Sequence, residues 1–240
     1  MTTDSSPRVA VAPVIDAKRR LFLIWQNPDT RKFIRVGMLS ELVDGRYVFQ
    51  YTGGAVADGF HPLVQFPDVS RIYVSDALPA FFVNRLMSKK RESYPAYLSA
   101  IGIDSSELET PMELLARTGG PRVTDTFHLV PDFAADEDGG VVSRFLASGV
   151  RYVDGATDAL ARVRPGDRLE LRADTANPVN KRAQLVCAGS EEALGYVPGW
   201  LLEDLEALLV RASSHRVIAE RVSPAAHPHL RLLCRIEARV

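Results

Sequence analysis

The sequence predicts an α+β fold in two parts, and three observations support this. Strand-like segments come first, and apolar residues at helical spacing follow them up to about residue 131. A polar segment with proline, glycine and four acidic residues then occupies residues 131–140. Beyond it, short strands alternate with two amphipathic stretches, which is typical of a small, partly open β-barrel with two helices. We therefore expect a disordered tail at residues 1–17, a domain at 18–131, a linker at 132–140 and a barrel at 141–240.

Three strands are predicted at the start of the first domain. Residues 19–27 and 31–40 are rich in β-branched and aromatic residues and flank the turn-forming sequence NPDT, which predicts a hairpin. Residues 45–51 alternate in character, with Tyr47, Phe49 and Tyr51 on one face. This alternation predicts a half-buried third strand.

Helices are predicted after these strands. Residues 60–68 contain two prolines and are unsuited to a helix, whereas residues 77–91 and 94–103 show apolar side chains at helical spacing. A further helix is predicted to begin with Thr110 as its N-cap and Pro111 at its first position.

The second part is predicted to be a series of strands with two helices. The first strand covers residues 143–153 and ends at a turn formed by Asp154 and Gly155. The remaining strands are predicted in residues 165–174, 182–188, 194–198, 217–224 and 229–240, and the helices in residues 157–163 and 199–212.

Composition limits the kind of protein this can be. The chain has 240 residues and a formal net charge of -1, so no long-range field attracts it to nucleic acid and any such binding has to be local. There are 15 basic and 18 acidic residues before Gly140, and 14 and 12 after it, a mild basic tilt of the C-terminal half. Because no signal peptide or membrane span is evident, we expect a soluble, cytoplasmic protein without membrane contact.

The two cysteines, Cys187 and Cys234, lie among apolar residues. This setting favours two buried thiols in a reducing compartment, and a disulfide between them is the alternative.

Four motifs of the C-terminal part carry a family resemblance. GVRYVDG at residues 149–155 is followed by PGDRLEL, by DTANPVNKRA at residues 174–183 and by LGYVP at residues 194–198. In this order and spacing they resemble the HIRAN domain, a small β-barrel module of DNA-repair and remodelling helicases that grips the ends of single-stranded DNA. The resemblance implies a HIRAN/OB-like barrel whose partner is single-stranded DNA, at a free 3′ end.

The side chains of these motifs suit that partner. A guanidinium can pair with a phosphate while a phenol ring stacks on a base, and the resemblance gives the contact with the terminal nucleotide to Arg151 and Tyr152. Asn177 and Pro178 predict a turn in which the amide side chain bonds its own backbone. The expected DNA-binding set is Arg151, Tyr152, Asp154, Gly155, Asn177, Pro178, Asn180, Lys181, Arg182 and Tyr196.

Each of these assignments has a structural alternative. Arg151 can be an ordinary surface arginine and Tyr152 a half-buried tyrosine. Residues 180–182 can form a solvated turn, and Tyr196 can be a core residue. Family members commonly have an aromatic residue after the loop proline, where this chain has Val179. A valine cannot stack on a base, so weaker or differently oriented binding is expected.

The N-terminal part carries a second resemblance. VGMLS, GRYVFQY, HPLVQFPD, PAFFVNRLMS, YPAYLSAIGI and PMELLARTGG are similar in order to the N-terminal subdomain of HipA-type toxin kinases over residues 20–131. Where that family commonly has a Leu-Leu-Pro-Glu stretch, this chain has NRLMSKKR. No phosphate-binding loop or kinase catalytic loop follows, so the resemblance implies a docking fold without phosphoryl transfer.

No motif in the sequence predicts catalysis, a metal or a cofactor. The sequence His227-Pro228-His229 lacks further ligands at metal-binding spacing and is interpreted as a polar turn. We therefore predict a non-catalytic single-stranded DNA-binding protein. Two alternatives stay open: an antitoxin-like interaction protein that binds a HipA-like kinase or a helix-turn-helix protein through its N-terminal half, and an accessory subunit of a helicase or nuclease.

Overall fold

The computed structural model describes residues 17–106, 108–189 and 192–240, and the tail predicted at residues 1–17 lies almost wholly outside them. The chain is a mixed α/β structure with two antiparallel sheets. The strands are β1 Ala17–Gln26, β2 Phe33–Leu42, β3 Tyr47–Tyr51, β4 Tyr73–Ser75, β5 Phe127–Pro131, β6 Gly140–Leu146, β7 Arg168–Ala173, β8 Gln184–Ala188, β9 Glu192–Tyr196, β10 Ser214–Val222 and β11 Leu232–Arg239. The helices are α1 Ala80–Val83, α2 Tyr94–Ala100, α3 Pro111–Thr118, α4 Ala156–Arg162 and α5 Leu202–Arg211.

The N-terminal sheet has the order β4-β3-β2-β1-β5. The predicted hairpin is confirmed, since β1 pairs with β2 from Gln26↔Phe33 outwards. The start of α3 is confirmed as well: Thr110 Oγ1 accepts a hydrogen bond from the Glu113 amide at 3.3 Å, and Pro111 is the first helical residue. The sequence interpretation missed β4 and β5.

Strand β1 packs against a hydrophobic core on each of its faces. Leu21, Leu23 and Trp25 belong to the core of the N-terminal part, which also contains residues of β2, β3 and α3. Ile24 points the other way and joins the core of the C-terminal part. Because side chains of a strand alternate between its faces, one strand contributes to both cores and joins the two parts of the molecule.

Strand β5 and the segment after it reinforce this junction. Val130 and Phe133 are both buried in the C-terminal core, and the Arg211 side chain donates to the Phe133 carbonyl. Residues 132–140, predicted to be a surface linker, are thus anchored at Phe133, whereas residues 134–138 are exposed. The domain boundaries themselves remain a prediction.

The C-terminal sheet has the order β6-β11-β10-β7-β8-β9. Its edge strands β6 and β9 do not pair along their length, and one isolated bridge, Ser148↔Tyr196, connects the chain just after β6 to the end of β9. The sheet therefore does not close into a barrel, and the small, partly open barrel predicted from the sequence is an open six-stranded sheet whose edges meet at this one bridge. Both predicted helices are present as α4 and α5, and Leu205 of α5 is fully buried on the sheet.

Two further expectations concern isolated side chains and membrane spans. Cys187 and Cys234 are both buried and free, as the sequence predicts. Within the described part of the chain, no helix combines the length and apolar character needed to cross a bilayer.

Candidate nucleic-acid interface

Arg151 and Tyr152 lie in a 3₁₀ turn, Val150–Tyr152, and not at the end of a strand. The strand predicted over residues 143–153 ends at Leu146. Gly149 then adopts the left-handed conformation with φ 66° and leads the chain into the 3₁₀ turn. The two side chains consequently do not diverge as they would on a strand. The Arg151 guanidinium lies 4.5 Å from the centre of the Tyr152 ring and donates a hydrogen bond to its hydroxyl.

Both side chains of this pair face solvent. Tyr152 is 71% exposed, an unusual degree for a tyrosine, while the neighbouring Val150 is 2% exposed and fixes the turn to the core. The guanidinium covers one face of the ring. Since Tyr152 is so exposed, the pair offers a cation and an aromatic surface to a ligand.

The turn after this pair contains Asp154 and Gly155, both exposed. Gly155 has φ 73° and precedes the first residue of α4. Glycine suits this position because a side chain would be strained at positive φ. Gly155 therefore has a structural role, and Asp154 is the one ionisable side chain of the turn.

The loop between β7 and β8 is shaped by Asn177. Its Oδ1 accepts hydrogen bonds from the amides of Val179 and Asn180, both at 3.0 Å, and its Nδ2 donates to Asp174 Oδ2 at 3.1 Å. These contacts confirm the predicted turn, in which an asparagine side chain substitutes for backbone partners. Asn177 thus organises the loop from within.

The outer part of the same loop carries the groups available to a ligand. Pro178 and Lys181 are exposed, and Val179 is 82% exposed at the tip. Asn180 is half-buried, and its Oδ1 accepts the Arg182 amide at 2.9 Å. Lys181 is also a cation of this loop, and it forms no ion pair with another residue that the structure describes.

Arg182 differs from the prediction in one respect. It is exposed as expected, but its guanidinium is paired with Glu206 of α5, with Nε 3.1 Å from Oε2. The pair raises the pKa of Arg182, chiefly through the hydrogen bond to Glu206. Because the carboxylate offsets its charge, Arg182 is a weaker phosphate ligand than the sequence suggests.

Tyr196 links the Arg151 turn to the Asn177 loop. Its backbone amide and carbonyl both bond Ser148 at 2.8 Å, and its hydroxyl donates to Asp174 Oδ2 at 2.9 Å. A Cβ placed on Gly149 would lie 3.2 Å from Tyr196 Cδ2, so this glycine lies against the ring. Burial, and then the Asp174 carboxylate, raise the pKa of Tyr196, whereas hydrogen bonds from Asn177 and Tyr196 lower that of Asp174.

The structure therefore groups the predicted residues into two sets. Arg151 and Tyr152 form one, and the loop residues held through Asp174 form the other. Among the described residues no hydrogen bond or ring contact joins the two sets directly, and Tyr196 lies between them. We call Arg151, Tyr152, residues 174–182 and Tyr196 the end surface.

Three residues in or next to the end surface were missed by the sequence interpretation. Asp174 and Ser148 anchor Tyr196. His229 lies in a 3₁₀ turn, Pro228–Leu230, that contacts the turn of Arg151. Burial, His227 and then Arg151 lower the pKa of His229. The Asp174-to-Asn177 spacing was a local signal, but nothing in the sequence relates His229 to Arg151. No group of three metal-ligating side chains occurs among the described residues.

These features define a C-terminal part with an open, curled antiparallel sheet and an exposed Arg–Tyr pair beside a polar loop. Residues 141–240 match the family model of the HIRAN domain, which supports a HIRAN domain at that position. The comparisons do not confirm the resemblance of the N-terminal part to HipA-type kinases.

Two solved structures are similar to the chain at low identity. One is a protein from Lactobacillus plantarum, 18% identical, with 42% of this chain and 97% of that chain covered and a TM-score of 0.33. The other is the HIRAN domain of human HLTF, 18% identical, with 43% of this chain and 81% of that chain covered and a TM-score of 0.32. None of the curated proteins compared with this chain matches it.

Proposed function

We propose that this protein binds single-stranded DNA without catalysing a reaction on it, and that the end surface holds the terminal nucleotide of a strand with a free 3′-hydroxyl. The observation that carries the proposal is the exposed Arg151–Tyr152 pair inside a segment that matches the HIRAN domain. A HIRAN domain implies nucleic-acid binding in general. The preference for a 3′ end and the choice of contacting residues are our own assignment.

The Arg151–Tyr152 pair can bind the last nucleotide without rearranging its side chains. The guanidinium already covers one face of the Tyr152 ring, so a base has the opposite face to stack on, and the outward N–H groups of Arg151 can reach a phosphate. The unbound pair is close to the geometry it needs. Little side-chain freedom is then lost on binding.

The Asn177 loop supplies the polar contacts on the other side of Tyr196. The Nδ2 of Asn180 has no hydrogen bond to another described group and suits a sugar hydroxyl, and Lys181 suits a phosphate. Val179 gives apolar contact without stacking. Because Arg182 is paired with Glu206, we assign it a smaller part.

A comparison of two chemical groups at the 3′ end of the oligonucleotide tests the proposal. The affinity of the full chain for one labelled oligonucleotide would be measured with a 3′-hydroxyl and again with a 3′-phosphate, because the added phosphate would crowd the site of the last sugar. We expect tighter binding of the hydroxyl form. Equal affinity for the two forms would remove the claim of end recognition.

The other two hypotheses for this chain have no specific structural support. Partner binding through the N-terminal part, by a HipA-like kinase or a helix-turn-helix protein, rests on a resemblance that is not confirmed. A role as an accessory subunit of a helicase or nuclease rests on the HIRAN resemblance alone. Both remain predictions.

A further inference from the structure

A groove of about 680 Å³ lies between the N-terminal and C-terminal parts of the molecule. One wall consists of residues 84–88, Arg91, residues 116–119 and residues 121–123, and the other includes residues 144–148, Trp200 and His229. Apolar side chains are frequent along it, among them Met87 and Leu230. The groove therefore combines residues from both parts of the chain.

The charged side chains that line the groove are all basic. Its lining includes five arginines and one histidine, but no aspartate or glutamate. Arg85, Arg117 and Arg144 are each paired with a carboxylate outside the lining, namely Asp125, Glu113 and Glu220. These three arginines are largely neutralised, so the free charge has to come from the other two.

Arg91 and Arg122 are these other two arginines. Both are exposed, and neither forms an ion pair within the described part of the chain. Arg122 is also close enough to Arg85 for repulsion between the two cations to lower the pKa of Arg85, which burial lowers first. A pair of unneutralised guanidiniums above an apolar floor suits an anion that also carries flat apolar groups.

The groove reaches the end surface at two points. Ser148 lines the groove and bonds the backbone of Tyr196. His229 lines it too and belongs to the 3₁₀ turn Pro228–Leu230, which contacts the turn that carries Arg151. A strand whose last nucleotide occupies the end surface can thus enter the groove without leaving the protein. This continuity favours a polynucleotide over an acidic peptide as the occupant.

We propose that the groove binds the nucleotides preceding the terminal one, with Arg91 and Arg122 contacting their phosphates and the apolar walls, including Trp200, contacting their bases. This inference rests on the proposed function and adds to it a path for the strand. It also assigns a DNA-binding role to the N-terminal part, for which the sequence predicts only protein contact.

The test compares oligonucleotides of two lengths, about four and about twelve nucleotides, since only the longer one can extend from the end surface through the groove. Arg91→Ala/Arg122→Ala should weaken binding of the longer oligonucleotide about tenfold. It should also reduce the slope of log affinity against log salt by about 1.4, as expected for two lost phosphate contacts on a single strand. Binding of the short oligonucleotide should change less than about twofold.

Arg46→Ala/Arg71→Ala is the matched control. Both side chains are exposed and lie towards the β3–β4 side of the N-terminal sheet, opposite to β5, so their removal should leave both affinities unchanged. Circular dichroism of both double variants would verify that the fold is kept.

Three results would overturn the inference. The first is unaltered binding of the longer oligonucleotide by Arg91→Ala/Arg122→Ala while Arg151→Ala weakens it; the second is an equal loss for both lengths. The third is binding of polyglutamate that depends on Arg91 and Arg122 and does not compete with the oligonucleotide. That result would assign the groove to an acidic protein partner. Failure of the proposed function is distinct: the unaltered protein would then show no preference between 3′-hydroxyl and 3′-phosphate ends.

Discussion

Tyr196 donates its hydroxyl hydrogen to Asp174 Oδ2 at 2.9 Å, while Gly149 lies against the ring of the same tyrosine. This contact connects the Asn177 loop to the turn that carries Arg151 and Tyr152. The relative position of the two halves of the end surface therefore depends on one side chain that need not touch a ligand.

Tyr196→Phe tests that dependence. The ring is kept and the bond to Asp174 is lost, so we expect amide hydrogen exchange in residues 175–182 to accelerate and oligonucleotide affinity to fall a few-fold. Tyr47→Phe, in the N-terminal sheet, is the matched control and should leave both measurements unchanged. Unchanged exchange in the loop of Tyr196→Phe would contradict this account.

Asn177→Ala should open the loop more than it alters the core. Removal of Oδ1 leaves the Val179 and Asn180 amides without their acceptor, and the loss should lower the free energy of local opening by about 1–2 kcal/mol. Amide exchange at these two residues is the measurement. Asn180→Ala, which keeps the Asn177 bonds, should instead weaken DNA binding with little effect on exchange at Val179.

Substitutions at Tyr152 separate stacking from packing. Tyr152→Ala should weaken oligonucleotide binding by roughly 5- to 150-fold, the range for loss of one base–aromatic stack. Tyr152→Phe keeps the ring and should retain most of the affinity. Tyr152→Ala should have the same unfolding temperature as the unaltered protein, because Tyr152 is 71% exposed. Equal affinity of Tyr152→Ala and the unaltered protein would contradict the stacking role.

Arg151→Ala should weaken binding and reduce its salt dependence, because a phosphate contact is lost with the guanidinium. Arg151→Lys keeps the charge without the planar group and should recover part of the affinity. If Arg151→Ala left the salt slope unchanged, Arg151 would not contact a phosphate. Titrations at several salt concentrations supply both quantities.

His128 should make the fold sensitive to acid. Its ring stacks on Trp200 with centroids 4.1 Å apart, and burial, followed by Arg85, lowers its pKa from 6.5 to about 4. Between these values the unfolded chain binds a proton that the folded chain does not, so stability falls as the pH drops from about 6.5 to 4. The loss is at most about 3 kcal/mol.

Urea unfolding of the unaltered protein and of His128→Phe over that pH range would measure this term. The substitution should remove part of the pH dependence, since phenylalanine does not titrate. Parallel pH profiles of the two proteins would show that other groups cause the acid sensitivity.

The features that the sequence predicts well are local ones. The β1–β2 hairpin follows from the NPDT turn, α3 from Thr110 and Pro111, and the loop shape from Asn177 and Pro178. In each case neighbouring residues make the contacts that decide the conformation, so a single stretch of sequence contains the information.

The features that were missed depend on distant residues. β5 pairs with β1 across about a hundred residues, and the open edge of the C-terminal sheet depends on which strands meet, so neither follows from local patterns. The strand predicted to reach residue 153 ends at Leu146, because the chain leaves β11 just after it and Ser148 pairs with the distant Tyr196.

The candidate site shows the same division. Arg151 and Tyr152 were identified from a motif, whereas the pairing of Arg182 with Glu206 and the approach of His229 to Arg151 exist only in the folded chain.

Photo-crosslinking tests the central claim most directly. An oligonucleotide with 5-iodouracil as its 3′-terminal base would be irradiated with the full chain, and the attached peptide identified by mass spectrometry. We expect the adduct at Tyr152, and its loss in Tyr152→Ala. An adduct confined to residues outside the end surface, with Tyr152→Ala crosslinking as well as the unaltered protein, would contradict the account.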